Sequence, residues 1–358
     1  MTDDAAQMRR ALDVALGGWG HTAPNPLVGA VLVRDGVVVG EGFHARFGAE
    51  HAEVAALRVA GERARGATAY VTLEPCAHHG QTPPCADALI AAGVRRVVVA
   101  TADPNPVAHG GLARLQAAGI ETMVGVEEQA ARELNAAFVH SFTSDRPWVT
   151  LKLAVSLDGA LAGVGGSALW ITGPAARREV HRLRAGTDAV AVGVGTVIAD
   201  DPLLTVRDWP APRVPPVRVV FDRHLRIPLT TRLIQTARDV PVIVVADAPF
   251  PGRAKALTDA GVDVVTAAST GDALRTLRDR GIRGLLVEGG ARLAAAMLAG
   301  SMVDRLIIFQ APCILGAGAI GAFSYVPPRT PADAPRLPIV ERRAFGDDLM
   351  TIYSCSPV

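Results

Sequence analysis

Hydrophobic and polar positions along the chain follow two rhythms, one of helices and one of strands, in alternation. Ala5, Met8, Leu12, Ala15 and Leu16 recur at helical spacing and predict an amphipathic helix over Asp4–Leu16. WGHTAPNPLVG then breaks the pattern with glycine and two prolines. Between Val28 and His44, two apolar runs flank Asp35-Gly36, a strong hairpin signal. A helical period returns in HAEVAALRVAGERA, from His51 to Ala64. Apolar strands follow at Ala67–Leu73 and in RRVVVATADPNP, and Leu112–Ala118, Glu121–Val124 and Glu127–His140 predict helix, strand and helix. Strands alternating with helices imply a mixed sheet with helices on both faces.

A polar stretch ending in proline, Thr143–Pro147, divides the chain and gives expected domains at 1–144 and 147–358. Beyond it, RPWVTLKLAVSLDGALA opens a new core strand and Gly163–Ser167 is a glycine-rich turn. Helix Pro174–Arg184 starts with proline, a common first-turn residue. Strands follow at Asp188–Val194, VRVVFD and VPVIVVAD, then two strand–helix units ending in GLLVEGGARLAAAML. MVDRLIIFQAPCILG and DDLMTIYSC read as edge strands around a proline-rich loop, Val326–Pro338.

Composition narrows the function more than the fold. A length of 358 residues predicts two or three domains, each large enough for its own core. The 49% hydrophobic and 20% charged content is that of a soluble globular protein. A net charge of +1 provides no field for nucleic acid or a membrane surface, and 4% aromatic residues supply few stacking platforms. A small-molecule substrate is therefore expected, with no nucleic-acid or membrane partner. MTDDAAQMRR lacks an apolar leader core and no apolar run reaches membrane-spanning length, so the chain reads as cytoplasmic. Four cysteines are too few for a disulfide framework, and Cys313 and Cys355 read as plain thiols. The apolar C-terminal strands make a homodimer the expected assembly.

The chemistry concentrates in His51-Ala52-Glu53 and in Cys76 with Cys85. One histidine, two cysteines and a glutamate that is not a ligand are the parts of a zinc deaminase. Three protein ligands leave one zinc position for water, whose pKa falls to about 7. Eight residues separate the cysteines, against two in the general deaminase signature. Residues two apart share no face of a regular helix, so His51 and Glu53 converge only at a helix's first turn. A closed zinc site is the other reading, with His44, His78 or His79 as fourth ligand. Glu74 either orients substrate or caps a strand. Gly193-Val194-Gly195-Thr196 is a weak dinucleotide fingerprint, because Ile198 stands where the third glycine belongs. Gly289-Gly290, between strand and helix, is a better phosphate signal, with a simple tight turn as its alternative. Asp200-Asp201-Pro202 also fits a helix-ending turn.

HAE, TLEPCAHHGQTPPC and DPNP together resemble the deaminase half of the bacterial RibD family, the bifunctional pyrimidine deaminase–reductases of riboflavin biosynthesis. LKLAVSLDGALA, WITG, LRAGTDAVAVGVGTVIADDPLLTVR and LLVEGGARL resemble its reductase half, in the same order. The resemblance implies a cytidine-deaminase-like α/β/α domain followed by a dihydrofolate-reductase-like α/β domain. It implies zinc-dependent deamination of 2,5-diamino-6-(5-phosphoribosylamino)pyrimidin-4(3H)-one. Reduction of 5-amino-6-(5-phosphoribosylamino)uracil by NADPH would follow. Zinc would be held by His51, Cys76 and Cys85, with Glu53 carrying protons. Asn25 and His44 would meet the substrate; a turn residue between prolines and a strand-end histidine are the plainer readings of those two.

In the second half, the resemblance places Ala154, Trp170, Thr196, Asp200 and the run Gly290, Ala291, Arg292, Leu293, Ala294, Ala295 and Ala296 on NADPH. It places Lys152, Ser167, Arg184, Leu204, Arg207 and Glu288 on the substrate, the arginines on its phosphate. Arginine suits that task because its planar fork donates two parallel hydrogen bonds. The sequence departs from the family at Gln81 and at His109-Gly110-Gly111, where basic residues usually stand. His109 and Arg46 are the candidates to replace them. Two rivals are a nucleoside or tRNA-base deaminase fused to an unrelated domain, and a catalytically dead zinc-stabilised binding module. The TPPC loop and the absent basic stripe argue against the first. Glu53, which zinc does not need as a ligand, argues against the second.

Overall fold

The structure, a computed structural model, describes residues 3–78, 83–164 and 170–356. The chain divides into two compact units, with the boundary between Thr143 and Ser144.

In the first unit, α1 (Asp4–Ala15), β1 (Gly29–Arg34), β2 (Val37–Phe43), α2 (Ala52–Ala60), β3 (Thr68–Val71) and α3 (Cys85–Ala91) come first in chain order. They are followed by β4 (Arg96–Val99), α4 (Gly111–Ala117), β5 (Glu121–Val124), α5 (Glu128–Leu134) and α6 (Ala136–His140). The five strands form one sheet in the order β2-β1-β3-β4-β5. β1 is antiparallel to β2 and β3, while β3, β4 and β5 run parallel. Asp35 and Gly36, at φ 50 and 78, make the two-residue hairpin turn that the dipeptide demands.

α1 is capped by Asp3, whose carboxylate accepts from the Ala5 and Ala6 N–H groups. Helical spacing puts Leu16 on its apolar face. Instead α1 ends at Ala15, and Leu16 begins a 3₁₀ turn into Gly17-Gly18 that leaves it 43% exposed. The continuous helix expected over Glu127–His140 is broken at Asn135, whose φ of −110° and ψ of 27° lie outside the helical region.

The contact of α2 with β2 sets the unit's geometry. α2 presents Ala52, Ala56 and Ala60, all buried, to the sheet. β2 answers with glycine: a Cβ at Gly42 would lie 2.3 Å from the Ala56 nitrogen, and one at Gly40 2.4 Å from the Ala56 oxygen. Helix and strand backbones therefore touch, and α2 cannot be lifted without moving its first turn.

The second unit contains β6 (Trp148–Val155), β7 (Ala160–Ala162), α7 (Pro174–Ala185), β8 (Ala189–Gly193), α8 (Val194–Asp200), β9 (Val217–Phe221), α9 (Arg232–Gln235) and β10 (Val242–Ala246). Then come α10 (Pro251–Asp259), β11 (Asp263–Thr266), α11 (Thr270–Asp279), β12 (Gly284–Val287), α12 (Ala291–Ala299), β13 (Arg305–Gln310), β14 (Ile320–Gly321), β15 (Ile339–Phe345) and β16 (Asp348–Ser354). Nine strands form a sheet in the order β11-β10-β9-β8-β12-β6-β13-β16-β15. It is parallel through β13, with β16 and β15 antiparallel.

The expectation that the C-terminal strands lie at an edge is corrected here. β13 pairs with β6 on one side and β16 on the other, so both β13 and β16 are interior. The apolar run RLIIFQ suits a strand covered on both faces. The edge is β15, IVERRAF, whose mixture of charged and apolar residues hides it from a periodicity reading. Among the described residues no helix is long and apolar enough to cross a membrane.

Gly42→Ala is expected to destabilise the first unit by about 1–3 kcal/mol through overpacking. It should also weaken zinc retention, because the α2 terminus moves with the helix. Denaturant unfolding and metal content per chain measure both effects.

Candidate active sites

His51 is the extended N-cap of α2, at φ −75° and ψ 161°, and Glu53 lies in that helix's first turn. With one residue extended and the other in the first helical turn, the two reach the same space. Cys85 opens α3, and its N–H donates to the Cys76 sulfur at 3.3 Å. His51 Nδ1 lies 3.1 Å from Cys85 Sγ and 3.6 Å from Cys76 Sγ. The three donor atoms lie within 4.8 Å of one another. One imidazole nitrogen and two thiol sulfurs are a zinc donor set, so the residues fit the metal. Hydrogen bonding from Cys85 and from His51 draws the Cys76 thiol far down, to about 4, against the effect of burial. The closed-site reading does not assemble: neither His44 nor His78 joins the three donors, and His79 lies outside the described residues.

A cavity of ≈ 280 Å³ opens beside the triad, lined among others by Asn25, His44, Phe47, His51, Glu53, Cys76, Asp103, Asn105 and Phe138. Glu53 is 3% exposed. Burial pushes its carboxyl up to about 7, against the pull of His51 and of a hydrogen bond with Cys85. His44 Nδ1 lies 3.1 Å from the Glu50 carbonyl oxygen and its Nε2 lies 3.1 Å from Asn25 Nδ2. Burial favours the neutral ring. A neutral ring beside a carbonyl carries its proton on Nδ1, so Nε2 accepts from the Asn25 amide. The chain thus orients Asn25 through His44.

Glu74 lines the cavity, and its carboxylate also caps a helix rather than a strand. Its Oε1 accepts from the Gly110 and Leu112 N–H groups at the start of α4, and its Oε2 from the Asp103 N–H. His109 Nδ1 lies 3.1 Å from the same carboxylate. α4 begins against the backbone just before Cys76, since a Cβ on Gly111 would fall 1.7 Å from the Pro75 oxygen. Of the phosphate-contact candidates, His109 is thus tied to Glu74, Arg46 is exposed next to Phe47, and Gln81 lies outside the described residues. Sequence reasoning gave no role to Asp103, Asn105, Phe47 or Phe138. The DPNP turn was visible and signalled the first two; nothing local signals the aromatic pair.

In the second unit, β8, β12 and β6 are adjacent and parallel, so their C-terminal ends share one edge. Glu288 follows β12, and Lys152 and Ala154 lie on β6. Arg184 of α7 meets Glu288 in a two-point ion pair, Nε to Oε1 at 2.5 Å and Nη2 to Oε2 at 2.9 Å. Its remaining Nη1 donates to the Thr205 carbonyl at 2.9 Å. Two residues expected on the substrate are therefore joined to each other. Burial opposes ionisation of Glu288, yet Arg184 and Lys152 hold its carboxyl below the usual 4.5. Burial also draws the Lys152 ammonium down, with Glu288 pulling the other way. Lys152 Nζ stands 5.7 Å from the Phe309 ring centroid.

Arg207 is exposed, and its N–H donates to His181 Nδ1 at 3.2 Å. Leu204 is 2% exposed at φ 55°, its side chain in the core beside Leu225 and Ile227. Asp200 ends α8 and Asp201 caps it in the left-handed region, so this segment is a helix-ending turn. Thr196 lies against Gly290, where a Cβ would be 3.4 Å from Thr196 Oγ1. α12 starts from Gly290, an N-cap with no side-chain hydrogen bond, and a Cβ on Gly195 would meet only open space. This cradle fits a phosphate-bearing nucleotide. Within 290–296, Ala291, Ala294 and Ala295 are buried while Arg292 and Ala296 are exposed. Trp170 is 73% exposed, with the Arg177 guanidinium 5.2 Å from its ring centroid. Ser167 lies outside the described residues.

A zinc-binding deaminase joined to an α/β nucleotide-dependent reductase is the class that these two units define. The cytidine and deoxycytidylate deaminase zinc-binding region matches residues 1–101, and the RibD C-terminal domain matches residues 147–351. The riboflavin biosynthesis protein RibD of Aquifex aeolicus is 47% identical, over 88% of each chain. That of Escherichia coli is 42% identical, over 97% of this chain and 98% of the other. The structure of Acinetobacter baumannii RibD superposes with a TM-score of 0.84 at 40% identity, covering 98% of both chains. The chain belongs to the RibD family: it is a bifunctional riboflavin-biosynthesis enzyme, with a zinc-binding deaminase and an NADPH-dependent reductase.

The ion pair predicts a pH dependence. A carboxylate held below its unfolded value contributes stability that is complete above 4.5 and fades as pH falls below it. Glu288→Gln leaves Arg184 uncompensated and should lower protection of β12 and α7 by about 3 kcal/mol at neutral pH. The deficit should shrink below 4.5, as the wild type loses the same charge. Hydrogen exchange across that range reads both.

Proposed function

We propose that the first unit deaminates the diamino ribotide, 2,5-diamino-6-(5-phosphoribosylamino)pyrimidin-4(3H)-one. The second unit then reduces 5-amino-6-(5-phosphoribosylamino)uracil to its ribityl form with NADPH. The observation that carries this reading is one cavity bordered by His51 and Cys76 of the donor set, Glu53 and Asn25. A Thermotoga maritima protein described as a deaminase and reductase acting on these compounds supports it, at 36% identity and a TM-score of 0.84.

His51, Cys76 and Cys85 would hold zinc, which when bound would supply a water acidified to a pKa of about 7. Glu53 is no ligand in this reading. Its enclosed carboxyl is pushed up to about 7; as the carboxylate it takes one proton from the attacking water and gives it to a ring nitrogen, then takes the second proton from the hydroxyl formed on the ring carbon and gives it to the departing amine. Asn25 donates to His44 and so turns its carbonyl oxygen towards a pyrimidine N–H. Phe47 and Phe138 supply apolar walls for a flat ring.

In the second unit, Gly290 and the start of α12, with Thr196 beside them, would hold a phosphate of NADPH, and Ala154 and Trp170 would meet other parts of the cofactor. NADPH supplies the hydride for C1 of the ribosyl group. Lys152 binds the ribose, and Glu288 opposes the loss of charge that burial favours on the lysine and holds Arg184 in place. Arg207, exposed and unpaired with any carboxylate in an ion pair among those seen, is the better placed of the two arginines for the ribotide phosphate. The enzyme acts in the cytoplasm, where Cys313 and Cys355 stay free thiols. It works as a homodimer, for which the long edge strand β15 offers a surface.

Glu53→Gln should keep zinc and lower deamination by about 10²–10⁴-fold, the span of a lost proton carrier. Lys152→Ala should abolish reduction of supplied uracil ribotide while ammonia release continues. A Glu53→Gln protein that binds zinc and deaminates normally overturns the deaminase mechanism.

A further inference from the structure

We infer that Asn135 is a positioning residue of the deaminase site, acting through Leu27 to hold the Asn25 amide against His44. This deepens the proposed function and rests on its reading of the cavity.

Apolar spacing favours one helix through Glu127–His140, yet the backbone leaves the helical region at Asn135 and resumes at Ala136. The break costs little in main-chain bonding. The Asn135 N–H still donates to the Ala131 and Arg132 carbonyls, and its carbonyl accepts from the Val139 N–H at 2.9 Å. The side chain goes elsewhere. Its Oδ1 accepts from the Leu27 N–H at 2.8 Å, and its Nδ2 donates to the Leu27 carbonyl at 2.8 Å. The two residues are 108 positions apart, and Asn135 is 7% exposed.

Leu27 belongs to the cavity wall's own segment. Asn25, Pro26 and Val28 all line the cavity, and so does Phe138, three residues beyond Asn135 on α6. The His44 N–H donates to the Val28 carbonyl, and the Asn25 N–H to the Thr22 carbonyl. The Asn135 clamp fixes both backbone polar groups of Leu27, midway between the Asn25 amide and the Val28 carbonyl that meet His44. The clamp needs a donor and an acceptor on one short planar group. Aspartate keeps the acceptor for the Leu27 N–H and loses the donor. Alanine loses both.

The test uses the zinc-loaded full-length protein and separates ammonia release from reduction of supplied uracil ribotide. The variants are Asn135→Ala, Asn135→Asp, Asn25→Ala and the Asn25→Ala, Asn135→Ala pair. Asn135→Ala is expected to lower kcat/KM for deamination by about tenfold or more, carried mainly by KM, with zinc content and reduction unchanged. Asn135→Asp should lie between it and the wild type, and serves should the alanine variant fail to fold. The double variant should be no worse than Asn25→Ala alone, because both changes remove the same contact.

Losses that multiply, or loss of zinc from both Asn135 variants, would mean a purely structural role and overturn the inference. So would an Asn135→Ala protein within about twofold of the wild type while Asn25→Ala is impaired. If Asn25→Ala itself deaminates normally, the reading of the cavity fails first and the positioning role falls with it.

Discussion

The backbone contact between α2 and β2 is the constraint on which the first unit depends. Glycine on the strand and alanine on the helix let the two backbones meet, so the helix start sits at a fixed height above the sheet. That start carries His51 outside the helix and Glu53 inside it. The start of α3 brings Cys85 to the same place, and the N–H of Cys85 holds the Cys76 sulfur. Two helix N-termini therefore face one point, where hydrogen bonds from Cys85 and His51 favour the thiolate of Cys76 while Cys76 and burial hold Cys85 as the thiol. The carboxylate that zinc does not need is enclosed beside them and kept ready to carry a proton at neutral pH.

The second unit solves a different problem. A parallel sheet places several strand ends along one edge, and the unit lines that edge with charge instead of metal donors. Arg184, Glu288 and Lys152 are three ionisable groups in a site from which water is largely withdrawn. The two-point Arg184–Glu288 pair lets the carboxylate stay ionised there. Breaking the pair would leave a charge without compensation, which is costlier than never having buried it. The nucleotide cradle beside it works by omission, with Gly195 and Gly290 leaving backbone accessible.

The strand and helix sequence was legible because the periods of Val37–Phe43, Ala52–Ala60 and Thr270–Asp279 are those of their elements. The convergence of His51 with Cys76 and Cys85 was legible from motif order. Four features were not. Leu16 has the right spacing for α1, but the helix ends one residue earlier, and spacing does not see helix ends. β13 has the composition of any covered strand, and only pairing on both sides tells an interior strand from an edge. The bond from Arg184 to Glu288 joins residues 104 positions apart, and each alone read as a substrate contact. Asn135 sits in a helical pattern, and its partner Leu27 is too distant in the chain for any local signal.

The account's central claim is that one chain carries out a zinc-dependent deamination and then an NADPH-dependent reduction. The most direct measurement gives the zinc-loaded protein the diamino ribotide and records ammonia release and NADPH oxidation separately. Ammonia appearing first and NADPH oxidation following, with both lost on removing the metal and only oxidation restored by supplied uracil ribotide, is the predicted result. NADPH oxidation seen with supplied intermediate alone, from protein that holds its zinc, would contradict it.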